Sequence, residues 1–106
     1  MGDKREVGEQ VRVKIWLERN GIPVVGEGRA ALLRLIDERG SLKRAAAELG
    51  MSYRHAWGLV RKIEGALGIK VVSTRRGGAS GGETRLTPDG RALLQEYDRA
   101  VGNFGL

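Results

Sequence analysis

Cysteine is absent from the 106 residues; histidine occurs once, proline twice and aromatic side chains five times. Without cysteine there is no disulfide framework and no thiolate-ligated metal, which fits a reducing compartment. His55 has no His, Cys or acidic partner at ligand spacing, so no metal site and no cofactor are expected. Five aromatics make a poor stacking surface for single strands. No apolar run approaches the ~18 residues of a membrane span, and residues 1–10 are too polar for a signal peptide, so a cytoplasmic protein without a membrane partner is expected. Acids are the minority charge, 13 Asp+Glu against 19 Lys+Arg, giving a net charge of +6 and a pI near 10.3.

What is present is an ordinary globular composition, 41% hydrophobic and 30% charged. No repeat or linker divides it, and residues 1–106 are expected to form one domain. The positive charge is localised. Residues 52–91 carry eight cations (Arg54, Arg61, Lys62, Lys70, Arg75, Arg76, Arg85, Arg91) against three acids (Glu64, Glu83, Asp89). Such a local excess is the footprint of a polyanion binder, although a basic surface that merely keeps the chain soluble has the same composition.

Along the chain, residues 1–9 read as a loose start. From Gln10, Val11, Val13, Ile15 and Leu17 alternate with Arg12, Lys14, Trp16 and Glu18, the pattern of a half-buried strand. Asn20-Gly21 suits a type I′ turn, and Ile22-Pro23-Val24-Val25 returns as an edge strand, completing a hairpin over residues 10–26. The spacing then predicts three helices within 27–67. The first, 27–39, places Ala31, Leu32, Leu35 and Ile36 on its apolar side and stops at Gly40. Ser41 caps the second, 42–49, with Leu42, Ala45, Ala46 and Leu49 inward, and Gly50 ends it. Ser52 caps the third, 53–67. Helix, three-residue turn and helix make a helix-turn-helix. A β-rich run 69–75, a glycine-rich tip 77–82 and a return strand 83–87 form a basic wing. Thr87 caps a last helix, 88–102, with Pro88 at its first position and Leu93, Leu94, Tyr97, Ala100 and Val101 as its stripe. The fold class expected is α+β, a winged helix-turn-helix.

On the third helix, Ala56, Val60, Ile63 and Leu67 fall within about 60° of one another and define the core face. The other side carries Arg54, Gly58, Arg61, Lys62 and Gly65, with His55 at its margin. Two interior glycines weaken a helix by roughly 0.8–1 kcal/mol each, which a merely solvated face would not require; bare backbone can approach a groove wall. Arg54 can form the paired N–H bonds that read guanine O6 and N7. Ser52, Tyr53 and His55 lie at the end that enters a groove, while Arg61 and Lys62 lie where phosphate contact is expected. Trp57 reads as a packing residue between helix and wing. Arg75, Arg76 and Arg85 at the wing base can reach a flanking minor groove or phosphates. Gly77-x4-Gly82-Glu83-Thr84 has the spacing of a phosphate-binding loop, but Glu83 replaces the lysine and Pro88 follows too soon, so nucleotide binding is rejected. No Ser/His/acid grouping converges, and no catalytic residue is expected.

Ser52-Tyr53-Arg54-His55-Ala56-Trp57, joined to Thr74-Arg75-Arg76-Gly77-Gly78, Gly81-Gly82 and Leu86-Thr87-Pro88-Asp89-Gly90, resembles the N-terminal DNA-binding domain of the molybdate-responsive ModE regulators, with LysR-type winged helices as more distant relatives. The likeness covers residues 10–102. It implies a homodimer on a palindromic operator in double-stranded DNA. Ser52, Tyr53, Arg54 and His55 would probe bases, and Arg61, Lys62 and the wing arginines would hold the backbone. Ser41 and Lys43 are expected as further backbone contacts, and Thr84 as a further wing contact. The last helix, through Leu93, Leu94, Tyr97 and Val101, would serve dimerisation. ModE-type regulators carry C-terminal molybdate-binding modules for which the 106 residues leave no room, so molybdate sensing by that route is not expected; no small-molecule effector is evident, and the chain is either a stand-alone DNA binder or one that senses through a partner or another site. Two alternatives stand beside this reading: an architectural or non-specific nucleic-acid binder, and a protein-interaction module using the same face.

Overall fold

A computed structural model describes residues 10–76 and 82–105. Its elements run β1 (Leu17–Arg19), β2 (Ile22–Val25), α1 (Glu27–Arg39), α2 (Leu42–Glu48), α3 (Tyr53–Leu67), β3 (Val72–Arg75), β4 (Glu83–Leu86) and α4 (Pro88–Asn103). Two antiparallel hairpins flank four helices, an α+β arrangement consistent with a helix-turn-helix domain. The expected loose start at 1–9 and most of the wing tip, 77–81, lie outside the described residues.

Local chemistry sets the helix limits. Ser41, Ser52 and Thr87 cap α2, α3 and α4, their side-chain oxygens accepting from the N–H groups of Arg44, His55 and Gly90. Gly40 closes α1 at φ 66°, a left-handed conformation that favours glycine, and the Arg85 guanidinium lies in ordinary contact 3.4 Å from where a Cβ would stand. Asn20 and Gly21, with φ of 53° and 78°, turn the first hairpin as expected.

The core gathers Val24 and Val25 of β2, Leu32, Leu33 and Ile36 of α1, Leu42, Ala45 and Ala46 of α2, Ala56, Val60 and Ile63 of α3, and Val71, Val72, Leu86 and Tyr97. α1 is its centre, packed by α2, α3, α4, β2 and β4. That position corrects the expected apolar side of α1. Leu32 and Ile36 are buried, but so are Ala30 and Leu33, whereas Ala31 and Leu35 are only half-buried. A helix surrounded on several sides hides more than one stripe. Leu49 is a second correction: it lies past the end of α2 and is exposed.

The strands are shorter than their sequence pattern. Of the run 10–18 only Leu17 and Glu18 enter β1; Val11 is 94% and Val13 56% exposed, while Ile15 and Leu17 are half-buried. A strand needs a partner, and β2 is four residues long and already paired with 17–19. β3 likewise starts at Val72 rather than Ile69. The Val71 N–H donates to Glu64 Oε2 at 2.9 Å, and the Val71 carbonyl accepts from the Thr87 N–H at 3.0 Å, so neither group is free for a ladder. From Val72↔Leu86 to Arg75↔Glu83 the second hairpin then pairs regularly.

The wing is also fastened to the helices. The Thr84 N–H donates to the Gly40 carbonyl at 2.9 Å, the Leu86 N–H donates to Asp37 Oδ1 at 3.1 Å, and Arg85 Nη1 donates to the Asp37 carbonyl at 2.7 Å. The end of α1 thereby acts as an extra edge beside β4.

Candidate nucleic-acid interface

α3 is held by its inner face on α1, α2 and β2 through Ala56, Val60 and Ile63, all fully buried. This leaves the other side outward. Tyr53, Arg54, His55, Arg61 and Lys62 are exposed. Between them, a Cβ added at Gly58 or Gly65 would meet nothing within 4 Å. The surface is a strip of open backbone edged by cations. Ser52 is exposed at its head, its oxygen already accepting from the His55 N–H at 3.0 Å.

Ion pairing divides the cations into two groups. Arg34 pairs with Asp98, Arg39 with Glu48, Arg85 with Glu83 and Arg91 with Asp37, all in the frame formed by α1, α2, β4 and α4. Lys70 stands 3.8 Å from Glu64. Lys43, Arg44, Arg54, Arg61 and Lys62 have no carboxylate partner among the described residues. Five cations without a carboxylate partner thus lie on α3 and the exposed start of α2; Arg12, Lys14, Arg19, Arg29, Arg75, Arg76 and Arg99 are likewise without one among the described residues. Arg44 is an addition to the residues expected from sequence, exposed one position after Lys43 and visible there only as one charge among many.

The wing residues have different placements. Arg75 and Arg76 are exposed. Arg85 is committed to the Asp37 carbonyl and to Glu83 Oε1 at 2.9 Å, which makes it a fastener of the wing. Thr84 is 8% exposed and faces Thr74, the two hydroxyls 3.3 Å apart. An inward side chain of this kind corrects the expectation that Thr84 offers itself at the surface. Ser41 is half-buried and spends its oxygen on the Arg44 N–H, while Lys43 is exposed.

Of the stripe on α4, Tyr97 is buried and donates its hydroxyl to the Ile15 carbonyl at 3.2 Å. Burial raises its pKa above the usual phenolic value of 10.0, with the charges of Glu27 and Asp98 adding to the effect. Leu93, Leu94 and Val101 are half-buried against the same core. Among the described residues no helix is long and apolar enough to cross a membrane.

Trp57 is half-buried at the edge of the core, in an edge-to-face contact with Tyr53 (centroids 6.3 Å apart, planes at 84°) and with the Arg61 guanidinium carbon 6.0 Å from its ring centroid. Glu64 is another residue that sequence reasoning passed over. Its carboxylate accepts the N–H groups of Val71 and Val72, at 2.9 and 3.4 Å, tying the end of α3 to the wing. An acid seven residues before an apolar run carries no sequence signal for such a bond.

The sequence pattern of the family described as "Bacterial regulatory helix-turn-helix protein, lysR family" matches residues 29–91, from α1 into the first turn of α4. The molybdenum-pterin-binding protein MopB of Rhodobacter capsulatus is 42% identical over 81 residues, 76% of this chain and 30% of that protein. The molybdenum transport protein ModE of Herbaspirillum seropedicae is 42% identical over 64 residues, 60% of this chain and 24% of that protein. The DNA-binding transcriptional dual regulator ModE of Escherichia coli K12 is 34% identical over 70 residues, covering 66% and 27%. The chain therefore spans about a third or less of the length of these curated relatives and is homologous to their N-terminal part.

Proposed function

The chain belongs to the lysR family of bacterial regulatory helix-turn-helix proteins, and from that premise we propose that it is a sequence-specific regulator that binds a palindromic operator in double-stranded DNA as a homodimer. The family is one of regulators without enzymatic activity, and the domain is a DNA-binding helix-turn-helix like that of the ModE regulators. The observation that carries the finer reading is the outer face of α3, where unpaired cations border two open glycine positions. In this reading α3 lies in a major groove, Arg54 reads a guanine edge, and Ser52, Tyr53 and His55 probe neighbouring bases. Arg61, Lys62 and Lys43 take phosphates, joined by Arg44, and the Ser41 cap aims the start of α2 at the backbone. Arg75 and Arg76 take the flanking contact, with Arg85 and Thr84 supporting the wing from inside. Leu93, Leu94 and Val101 form the α4 side of the dimer contact, whereas Tyr97, buried and bonded to the Ile15 carbonyl, serves the protomer's own core and not the interface expected of it. The molybdenum in the relatives' names belongs to proteins about two and a half times as long, and no molybdenum function is proposed for these residues.

Selection of bound duplexes from a randomised library at near-physiological salt tests this. Enrichment of an inverted repeat, with half-sites about one helical turn or a multiple apart, supports the dimeric specific regulator. Retention without enrichment identifies an architectural binder, and no retention points to a protein partner. Arg54→Ala provides the residue-level check: it is expected to relax preference at one position of the half-site and to cost about 1–3 kcal/mol there. Equal weakening on all sequences would count against base reading.

A further inference from the structure

Tyr53, Trp57 and Arg61 follow one another at four-residue intervals along α3, so their side chains form one row, at the border between the core face and the outward face. The row is continuous: the Tyr53 ring meets the Trp57 ring edge to face at 6.3 Å, and the Arg61 guanidinium carbon stands 6.0 Å from the same indole. Trp57 is anchored because it packs partly against the core, whereas Tyr53 and Arg61 are exposed. Arg61 has no carboxylate partner among the described residues, so the indole is what orients it.

We infer that Trp57 is a positioning residue of the DNA-binding surface, holding the Arg61 guanidinium ready for a phosphate before DNA arrives; this rests on the reading given under Proposed function. The physical reason is entropic as well as electrostatic. A free arginine loses rotamer freedom when a phosphate fixes it, and a guanidinium already resting on a ring has given up part of that freedom in the unbound chain. The ring attracts the cation without neutralising it, so the full charge stays available to the phosphate. A carboxylate in the same place would orient Arg61 but compete with the DNA.

The test is a double-mutant cycle on duplex affinity with Trp57→Leu, Arg61→Ala and the double variant, thermal unfolding confirming that each is folded. Arg61→Ala is expected to cost about two- to fivefold less in the Trp57→Leu background than in the wild type, the size of an exposed cation–ring contact. Trp57→Phe, which keeps a ring, is expected to restore the coupling. A second measurement leaves Trp57 in place. With Trp16→Phe the indole of Trp57 is the sole tryptophan, and its emission is expected to shift on adding duplex, a shift that Arg61→Ala abolishes. If the two effects multiply independently, or the emission shift survives Arg61→Ala, the positioning role is overturned while DNA binding stands. If the wild type retains no duplex at all, the functional reading fails and the positioning role fails with it.

Discussion

At position 90, the third residue of α4, a methyl group would be driven into the Val71 carbonyl, whose carbon lies only 3.0 Å from the Cβ site. The obstacle is backbone, and it is held in place: the Val71 carbonyl accepts from Thr87 and its N–H is bound by Glu64. Alanine in place of glycine ordinarily strengthens a helix, by about 0.8–1 kcal/mol. Here the sign reverses, and Gly90→Ala is expected to destabilise by about 1–3 kcal/mol, an overpacking cost read as a lower urea midpoint. A second local effect depends on pH. Arg39 reaches both carboxylate oxygens of Glu48, at 2.5 and 3.0 Å, joining the ends of α1 and α2. That hydrogen bond, helped by the positive charge, holds the Glu48 carboxyl below its ordinary 4.5 and pushes Arg39 up. A depressed carboxylate contributes stability above its unfolded-state pKa and loses it as pH falls through the folded-state value. Glu48→Gln is therefore expected to melt below the wild type at pH 7 and to converge with it as pH falls below the ordinary carboxylate range. Because both partners are half-exposed, added salt should narrow the gap at pH 7.

At the scale of elements, α3 sets stability against contact. Gly58 and Gly65 have open space where a Cβ would go, so alanine at either site meets no obstacle in the free chain. Gly58→Ala and Gly65→Ala are each expected to raise stability by about 0.8–1 kcal/mol and to weaken duplex binding, the methyl groups standing off the groove wall. Thermal unfolding beside a binding titration checks both; tighter binding would show that the bare strip does not face DNA. The limits of α1 and α3 were legible residue by residue because their stop and start signals are local: Gly40 and Gly68 close them, and Ser52 opens α3. The outward face of α3 was legible for the same reason, since one clear stripe with Ala56, Val60 and Ile63 defines it. What stayed hidden depends on distant partners. Residues 10–16 alternate as a strand does, yet β2 offers no length to pair with them. The buried side of α1 reflects five neighbours that no periodicity counts. Arg85 and Thr84 read as wing cation and wing hydroxyl until Asp37, Gly40 and Thr74 take them up.

For the molecule as a whole, ion pairs take up Arg34, Arg39, Arg85 and Arg91 of the frame, while Arg54 and Arg61 of α3 have no carboxylate partner among the described residues. Removing one cation from a phosphate should reduce the slope of log affinity against log salt by about 0.9. Lys62→Ala thus reports stoichiometry as well as contact: a slope reduced by about 0.9 means one protomer on the duplex, and about 1.8 means a symmetric pair. The larger change is expected, and the smaller one would remove the homodimer from the reading. The seam between β4 and the end of α1 has a geometric corollary. With Thr84, Arg85 and Leu86 sewn to Asp37 and Gly40 of α1, and Glu64 of α3 bound to Val71 and Val72, the base of the wing, α1 and α3 are parts of one bracket. Under the proposed function the bracket would work as a ruler: the interval along the duplex between bases read by Arg54 and backbone held by Arg75 would be a length built into the protein, the same on every operator.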